Sequence, residues 1–218
     1  IVDGVDIFIA TISAGGPLRL AVLGSVDATM EELAAQAVSG LYAEIHALPS
    51  PTFVAVAHSA AVAVGAGNTP MPASPGGTWT PERVALEWER QIERLRELQP
   101  HAALIVGMAD GPAGPTPLQE ACQLLTNAAH ELNEQHGASV SAGVAANDVA
   151  SRQVVALYAG AAQYVDAVRR MLQEVAEVVR VDALVSSAHI GPASVAAGKV
   201  YERDVMQHLP GYSRLHGW

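Results

Sequence analysis

The segment His101–Gly114 holds the residues whose types and spacing best suit ligand chemistry. An apolar run over 102–107 is followed by a turn that is rich in glycine and proline and carries Asp110. A short apolar run without alternation is typical of a parallel strand covered on both faces. Ligands of open α/β sheets bind just past the carboxyl ends of such strands. If the chain has a small-molecule site, we expect it at the loop Gly107–Gly114.

The chemistry that this loop suits is phosphate binding. Unpaired backbone amides at a helix amino terminus can hold phosphate, and Gly107, Gly111 and Gly114 allow a close approach. The carboxylate of Asp110 could reach a Mg²⁺ shell or a ribose hydroxyl. The alternative interpretation is that these glycines only form a tight turn between a strand and a helix.

Other signs of chemistry in the sequence are weak. Lys199 is the only lysine of the chain, so no lysine follows the glycine loop as it does in a P-loop. The eight histidines lack metal-ligand spacing, and we expect no metal site. No Gly-x-Ser-x-Gly elbow is present. Cys122 lies in a helical pattern of apolar residues, where packing in the core is expected.

The first residues of the chain predict a β-hairpin. Residues 5–12 are rich in β-branched side chains, and residues 18–24 form a second apolar run. The segment Ser13–Pro17 between them contains Gly15 and Gly16. Two strands joined by a short glycine-rich turn are typical of a hairpin.

A helix and several short apolar segments follow the hairpin. Residues 25–29 include helix-capping types, so a helix is predicted to about residue 40. Residues 42–48 could continue that helix or form a short strand, and residues 53–57 and 61–64 are strand-like. Residues 68–80, with their prolines and glycines, predict a linker or surface loop.

From Thr80 onward the pattern alternates between helix and strand, which predicts parallel βαβ units. Helices are predicted over 81–99, 117–135, about 162–177 and 192–209, and strands near 102–107, 154–159 and 178–184. Residues 137–151 suit an extra strand or a loop. Right-handed crossovers would bring the turn at Gly160 to the same sheet edge as Gly107–Gly114.

The expected fold is α/β, with a mostly parallel sheet, helices on both faces and an N-terminal β-hairpin, in the Rossmann-like or ribonuclease H-like manner. We divide the chain into a hairpin-helix subdomain (1–67), a linker (68–80) and a parallel α/β domain (81–218).

Composition excludes several classes of partner. The 218 residues carry a formal net charge of −10, which argues against nucleic acid and anionic membranes, because both attract clustered Lys and Arg. The single cysteine fits a reducing compartment, so a cytoplasmic location is expected. No apolar run approaches the roughly 20 residues that span a bilayer. Because the chain opens at Ile1 with no leader segment, we expect an excised piece of a longer protein.

Five short segments follow one another in an order and spacing typical of one family. They are Ser13–Arg19, Gln99–Gly111, Tyr158–Ala161, Ile190–Ser194 and Pro210–Trp218. With them the chain resembles the L component associated with cobalamin-dependent glutamate mutase, a family grouped with the actin, sugar kinase and heat-shock chaperone ATPases. The resemblance covers nearly the whole chain.

The resemblance implies a nucleotide site formed by Gly15, Gly16, Gly107, Asp110, Gly111, Gly114 and Gly160. It also implies ATP and Mg²⁺ as cofactors of the parent protein and a cobalamin-dependent mutase as a partner. The sequence departs from the family at Met108, Ala161 and Ser194. It also lacks the Asp-Gly-Ser/Thr strand of the first phosphate loop, so we expect no ATP hydrolysis by this chain alone.

Three functions therefore remain open. The first is a fragment of an ATPase or chaperone-type accessory factor of a cobalamin-dependent mutase. The second is a Rossmann-like domain that binds a small molecule. The third is an interaction domain that has lost its nucleotide site.

Overall fold

The core of the protein is one sheet of five parallel strands in the order β2-β1-β3-β4-β5. The computed structural model describes residues 16–63, 80–107, 114–141 and 153–209, with the side chains of all of these except 58–63 and 132–141. The strands are β1 (Leu18–Gly24), β2 (Ala43–Pro49), β3 (Ala102–Gly107), β4 (Val154–Gly160) and β5 (Ala176–Val181). The helices are α1 (Ala28–Ala37), α2 (Pro51–Ala63), α3 (Pro81–Leu98), α4 (Thr116–Ser141), α5 (Val165–Leu172) and α6 (Gly191–Asp204).

The structure confirms the predicted parallel α/β architecture. β3 pairs with β4 and β4 pairs with β5, all in parallel, as the alternation after Thr80 predicted. All residues of β3 except the last are buried, which explains its unbroken apolar run.

Alternate residues of β1 show which helices cover which side of the sheet. Leu20 and Val22 pack in one apolar cluster with α1 and α6, and we call this side face A. Ala21 and Leu23 pack with α3, α4 and α5 on the opposite side, face B. Because β1 is apolar on both sides, helices are able to cover both faces of the sheet.

The helix ends follow their sequence signals where capping residues are present. The carboxylate of Asp27 accepts a hydrogen bond from the backbone N–H of Met30 at 2.8 Å and caps α1. Thr80 caps α3, and Pro81 occupies its first turn. Several predicted bounds shift: α4 continues to Ser141, beyond the predicted residue 135, while α5 ends at Leu172, five residues before the predicted end.

The prediction of strands over 53–57 and 61–64 is wrong, because both ranges lie wholly or partly in α2. Ser50 accepts a hydrogen bond from the backbone N–H of Phe53 at 3.0 Å, and Pro51 follows as the first helical residue. These two signals begin a helix, and the alanines favour its continuation. These helix signals outweigh the strand-like character of the two segments. Residues 42–48, for which both helix and strand were open, lie almost entirely in β2.

Parallel strands occupy both sides of β1, where the sequence predicted a hairpin. Leu18–Gly24 pairs with β2 on one side, and Leu20–Gly24 pairs with β3 on the other. The predicted hairpin arm, residues 5–12, lies outside the described residues. Antiparallel pairing with that arm is not what the sheet shows for β1, because neither side of Leu20–Gly24 is open.

The first two strands also belong to the same sheet as the last three. The boundary that we placed at residues 68–80 therefore does not divide the sheet. The reason is that β1 pairs with β3 across a long stretch of chain, and such non-local pairing leaves no mark in the local sequence pattern.

Candidate functional site

The strand order places a topological switch point between the carboxyl ends of β1 and β3. From β1 the chain continues into α1 on face A, whereas from the adjacent β3 it continues, after residues 108–113, into α4 on face B. Two neighbouring strands whose following helices depart to opposite faces leave an opening between them. This is the switch point at which doubly wound sheets of this order bind their ligands. We call it the β1–β3 crevice.

Gly24 forms the floor of the β1–β3 crevice. Its φ angle is +101°, and a Cβ atom there would lie 2.3 Å from the carbonyl oxygen of Val106. The N–H of Ser25 donates to that same oxygen at 3.0 Å, and the N–H of Ser50 donates to the carbonyl of Gly24 at 2.9 Å. Backbone hydrogen bonds at Gly24 and Ser25 thus connect the carboxyl ends of β1, β2 and β3.

Acidic side chains occupy the helix amino termini beside the crevice. Asp27 caps α1, as described above. Glu120, which projects from α4, accepts hydrogen bonds from both the N–H and the hydroxyl of Thr52, the N–H at 3.1 Å, and so caps α2. A helix amino terminus attracts anions, and here carboxylates of the protein itself fill that role.

The charge of this edge opposes a phosphate ligand. The described connections that follow the strands are residues 25–27, 50, 114–115, 161–164 and 182–190, and none of these residues is a lysine or an arginine. With Asp27 and Glu120 nearby, the edge suits an uncharged or cationic ligand better than an anionic one.

Gly107 and Gly160 lie side by side, as the sequence predicted. They are partners in the register of β3 and β4 and end those strands at the carboxyl edge. A Cβ atom on Gly160 would lie 2.4 Å from the hydroxyl oxygen of Tyr158, which donates a hydrogen bond to the carbonyl of Ala161 at 3.1 Å. A Cβ atom on Gly107 would contact Leu118 at 3.3 Å. Packing alone therefore accounts for glycine at position 160.

The remaining predicted site residues do not all reach this edge. Gly114 precedes α4 at the carboxyl edge, with φ +58° and open space around its Cα. Gly16 precedes the amino end of β1, so the length of that strand, about 20 Å, separates it from the crevice. Gly15, Asp110 and Gly111 lie outside the described residues.

Sequence reasoning missed Gly24, Asp27 and Glu120 as parts of the site. A glycine at a strand end followed by an acidic helix cap was visible at residues 24–27. Its importance depends on the strand order, which places β3 beside β1. Glu120 carries no local signal, because its partner Thr52 is distant in the sequence.

Two grooves lie along the outer strands of the sheet. The larger, of about 1400 Å³, follows β2 and is bordered by α1, α2 and α3. We call it the β2 groove, and its lining includes Asp27, Glu31, Glu44, His46, Phe53 and Arg94. The smaller, of about 580 Å³, lies between β5 and α6.

Cys122 is fully buried, and burial raises the pKa of its thiol to about 12. It therefore stays protonated and unreactive in the folded chain. Among the residues that the structure describes, no three His, Cys, Asp or Glu side chains form a group suited to a metal ion. In the same part of the chain, no helix has the length and apolar character needed to cross a membrane.

Comparison with known proteins gives no match. No family model, no curated protein and no solved structure matches the chain.

Proposed function

We propose that this domain binds an uncharged or cationic small molecule in the β1–β3 crevice. The observation that carries the proposal is the strand order β2-β1-β3-β4-β5, in which the helices after β1 and β3 leave on opposite faces. Doubly wound sheets bind ligands of many chemical classes at this position.

The charge at the crevice supports the choice of ligand class. The carboxylate of Asp27 lies at the amino terminus of α1, and that of Glu120 lies at the amino terminus of α2. An entering phosphate would compete with these carboxylates for the helix amides and would be repelled by their charge. A hydroxyl, amide or ammonium group would meet hydrogen-bond acceptors instead.

Backbone amide shifts during titration test this proposal. The probes are a fragment library with neutral, cationic and anionic members, together with ATP and Mg²⁺. Neutral or cationic fragments should shift the amides of residues 24–27 and Gly107, whereas anionic members and ATP should not. Shifts that appear only along the β2 groove, or only with anions, would refute the proposal.

The matched variant is Asp27→Asn. Asparagine also caps helices, so α1 should persist while the charge is removed. Cationic fragments should lose affinity in this variant and neutral ones should not.

A second candidate is the accessory role suggested by the glutamate mutase L resemblance. The order of its five segments from Ser13 to Trp218 favours it. In that case ATP with Mg²⁺ should shift Gly107 and Gly114, and Asp110→Ala should abolish those shifts. Binding of a cobalamin-dependent mutase by the chain would be the direct test of the partner.

A further inference from the structure

We propose that β2 pairs with the β2 strand of a second copy of this chain, in antiparallel orientation about a twofold axis at Ile45. The evidence for this interface is separate from the evidence for the crevice. Its evidence is the open side of β2, the direction of its backbone groups and the arrangement of its side chains.

β2 is an outer strand of the sheet. It pairs with β1 on one side, and no described strand pairs with its other side. Pro49 ends the strand, as is common at sheet edges, because proline has no N–H to offer a neighbour. The β2 groove is lined by six of the seven residues of this strand, from Glu44 to Pro49.

The backbone groups that face outward can be assigned from the pairing with β1. The N–H of Leu18 donates to the carbonyl of Tyr42, and Leu18 is in register with Ala43. Since both backbone groups of a strand residue point to the same side, Tyr42, Glu44 and His46 point towards β1. Ala43, Ile45 and Ala47 therefore present their N–H and C=O groups outward, where an additional strand would bind them.

The five residues 43–47, Ala, Glu, Ile, His and Ala, have a pattern of polar and apolar side chains that is the same in either direction, with an acid and an imidazole at the two polar positions. A twofold axis at Ile45 places Ile45 opposite its copy and Ala43 opposite Ala47. Each of these is a hydrogen-bonded pair, because its members point outward. The sequence and the backbone directions thus agree on one register.

In that register Glu44 lies opposite His46 of the second copy, and His46 lies opposite its Glu44. These are non-hydrogen-bonded pairs, the positions at which opposite side chains come closest in an antiparallel ladder. Both side chains are exposed in the single chain. An imidazole N–H donates to a carboxylate, so the interface contains two matched polar pairs. A parallel arrangement in the same register would place Glu44 beside Glu44 of the second copy and would lose these pairs.

Sedimentation velocity over a wide range of concentrations tests the interface. The chain should form a dimer of twice its 22.6 kDa mass. His46→Glu places two like-charged pairs in the dimer, which should raise the dimer Kd roughly tenfold or more. The double variant Glu44→His with His46→Glu exchanges the two side chains and should restore the wild-type Kd.

A control variant on the other outer strand separates this interface from a general charge effect. Arg180→Gln makes the net charge more negative on β5, where Arg180 is exposed, and should leave the dimer Kd unchanged. A chain that stays monomeric at all concentrations would overturn the proposal. So would a dimer whose Kd is insensitive to His46→Glu, or one that the double exchange fails to restore.

Hydrogen exchange distinguishes a second copy from any other occupant of β2. The amides of Ile45 and Ala47 should become more protected as concentration rises. Protection of the same amides at concentrations where the chain is monomeric would mean that another part of the chain covers β2, which would overturn the proposal.

Discussion

Among the glycines that the structure describes, Gly160 excepted, Gly24 is the one whose replacement with alanine should destabilise the fold most. Two separate effects combine at this position. The backbone has φ +101°, a region that side chains other than that of glycine enter at about 1–2 kcal/mol. The added Cβ would also lie 2.3 Å from the carbonyl oxygen of Val106, and main-chain atoms must move to relieve that overlap.

The second effect involves the hydrogen bond that closes the crevice floor. Moving the Val106 carbonyl away weakens its bond from the N–H of Ser25, now 3.0 Å long, and a buried acceptor left unpaired costs about 1–3 kcal/mol. The two effects together predict a loss of roughly 2–5 kcal/mol. With a urea m-value of about 1–3 kcal/mol/M, the midpoint of unfolding should fall by at least about 0.7 M.

Two control variants isolate the contributions. Gly114→Ala has the strained φ of +58° but open space, so it should lose only about 1–2 kcal/mol. Gly198→Ala lies within α6 with open space and should gain up to about 1 kcal/mol. Urea unfolding followed by circular dichroism measures all three. If Gly24→Ala loses no more stability than Gly114→Ala, the reasoning about the Val106 carbonyl is wrong.

Three further predictions concern the packing around the site. Gly160→Ala should cost several kcal/mol in the wild type but much less in a Tyr158→Leu background, because the ring of Tyr158 occupies the space; equal losses in urea unfolding would contradict this. Cys122 should react with a thiol reagent only as the chain unfolds. Burial raises the pKa of the Cys122 thiol in the folded chain to about 12, above its pKa in the unfolded chain. The contribution of the buried thiol to the free energy of unfolding should therefore be present at neutral pH and lost as the pH rises from the unfolded-state pKa towards 12. Cys122→Ala should reduce that loss of stability at alkaline pH. Glu120→Ala should lower stability by about 1–3 kcal/mol by removing the cap on α2, and Thr52→Ala in that background should add little.

The elements that the sequence predicts well are those whose signals are local. β3 and β4 have unbroken apolar runs because helices cover them on both faces. α3 has a threonine cap, a proline in its first turn and an apolar stripe. In each case the neighbours in the sequence determine the structure, so a window of a few residues contains the answer.

The pairings that the sequence does not predict depend on distant residues. The strand at 18–24 and a glycine turn suggested a hairpin. Instead, β1 pairs in parallel with β3, which lies about 80 residues further along the chain. The ring of Tyr158 folds over Gly160, two residues away, and the direction in which a side chain turns at a strand end depends on α4 and α5 packed around it. The glycines therefore had two interpretations, and only the packed structure distinguishes them for position 160.

The two proposed surfaces meet at one residue. Asp27 caps α1 beside the crevice and also lines the β2 groove. A ligand that draws the Asp27 carboxylate away from the N–H of Met30 would release the first turn of α1, which borders the groove where a second copy would bind. Binding in the crevice and pairing at β2 would then share a free energy, and by linkage each would change the affinity of the other by the same factor. A cap with a charged side chain suits such coupling, because its carboxylate can form a charge-assisted hydrogen bond with a cationic group of the ligand while the N–H of Met30 loses its acceptor.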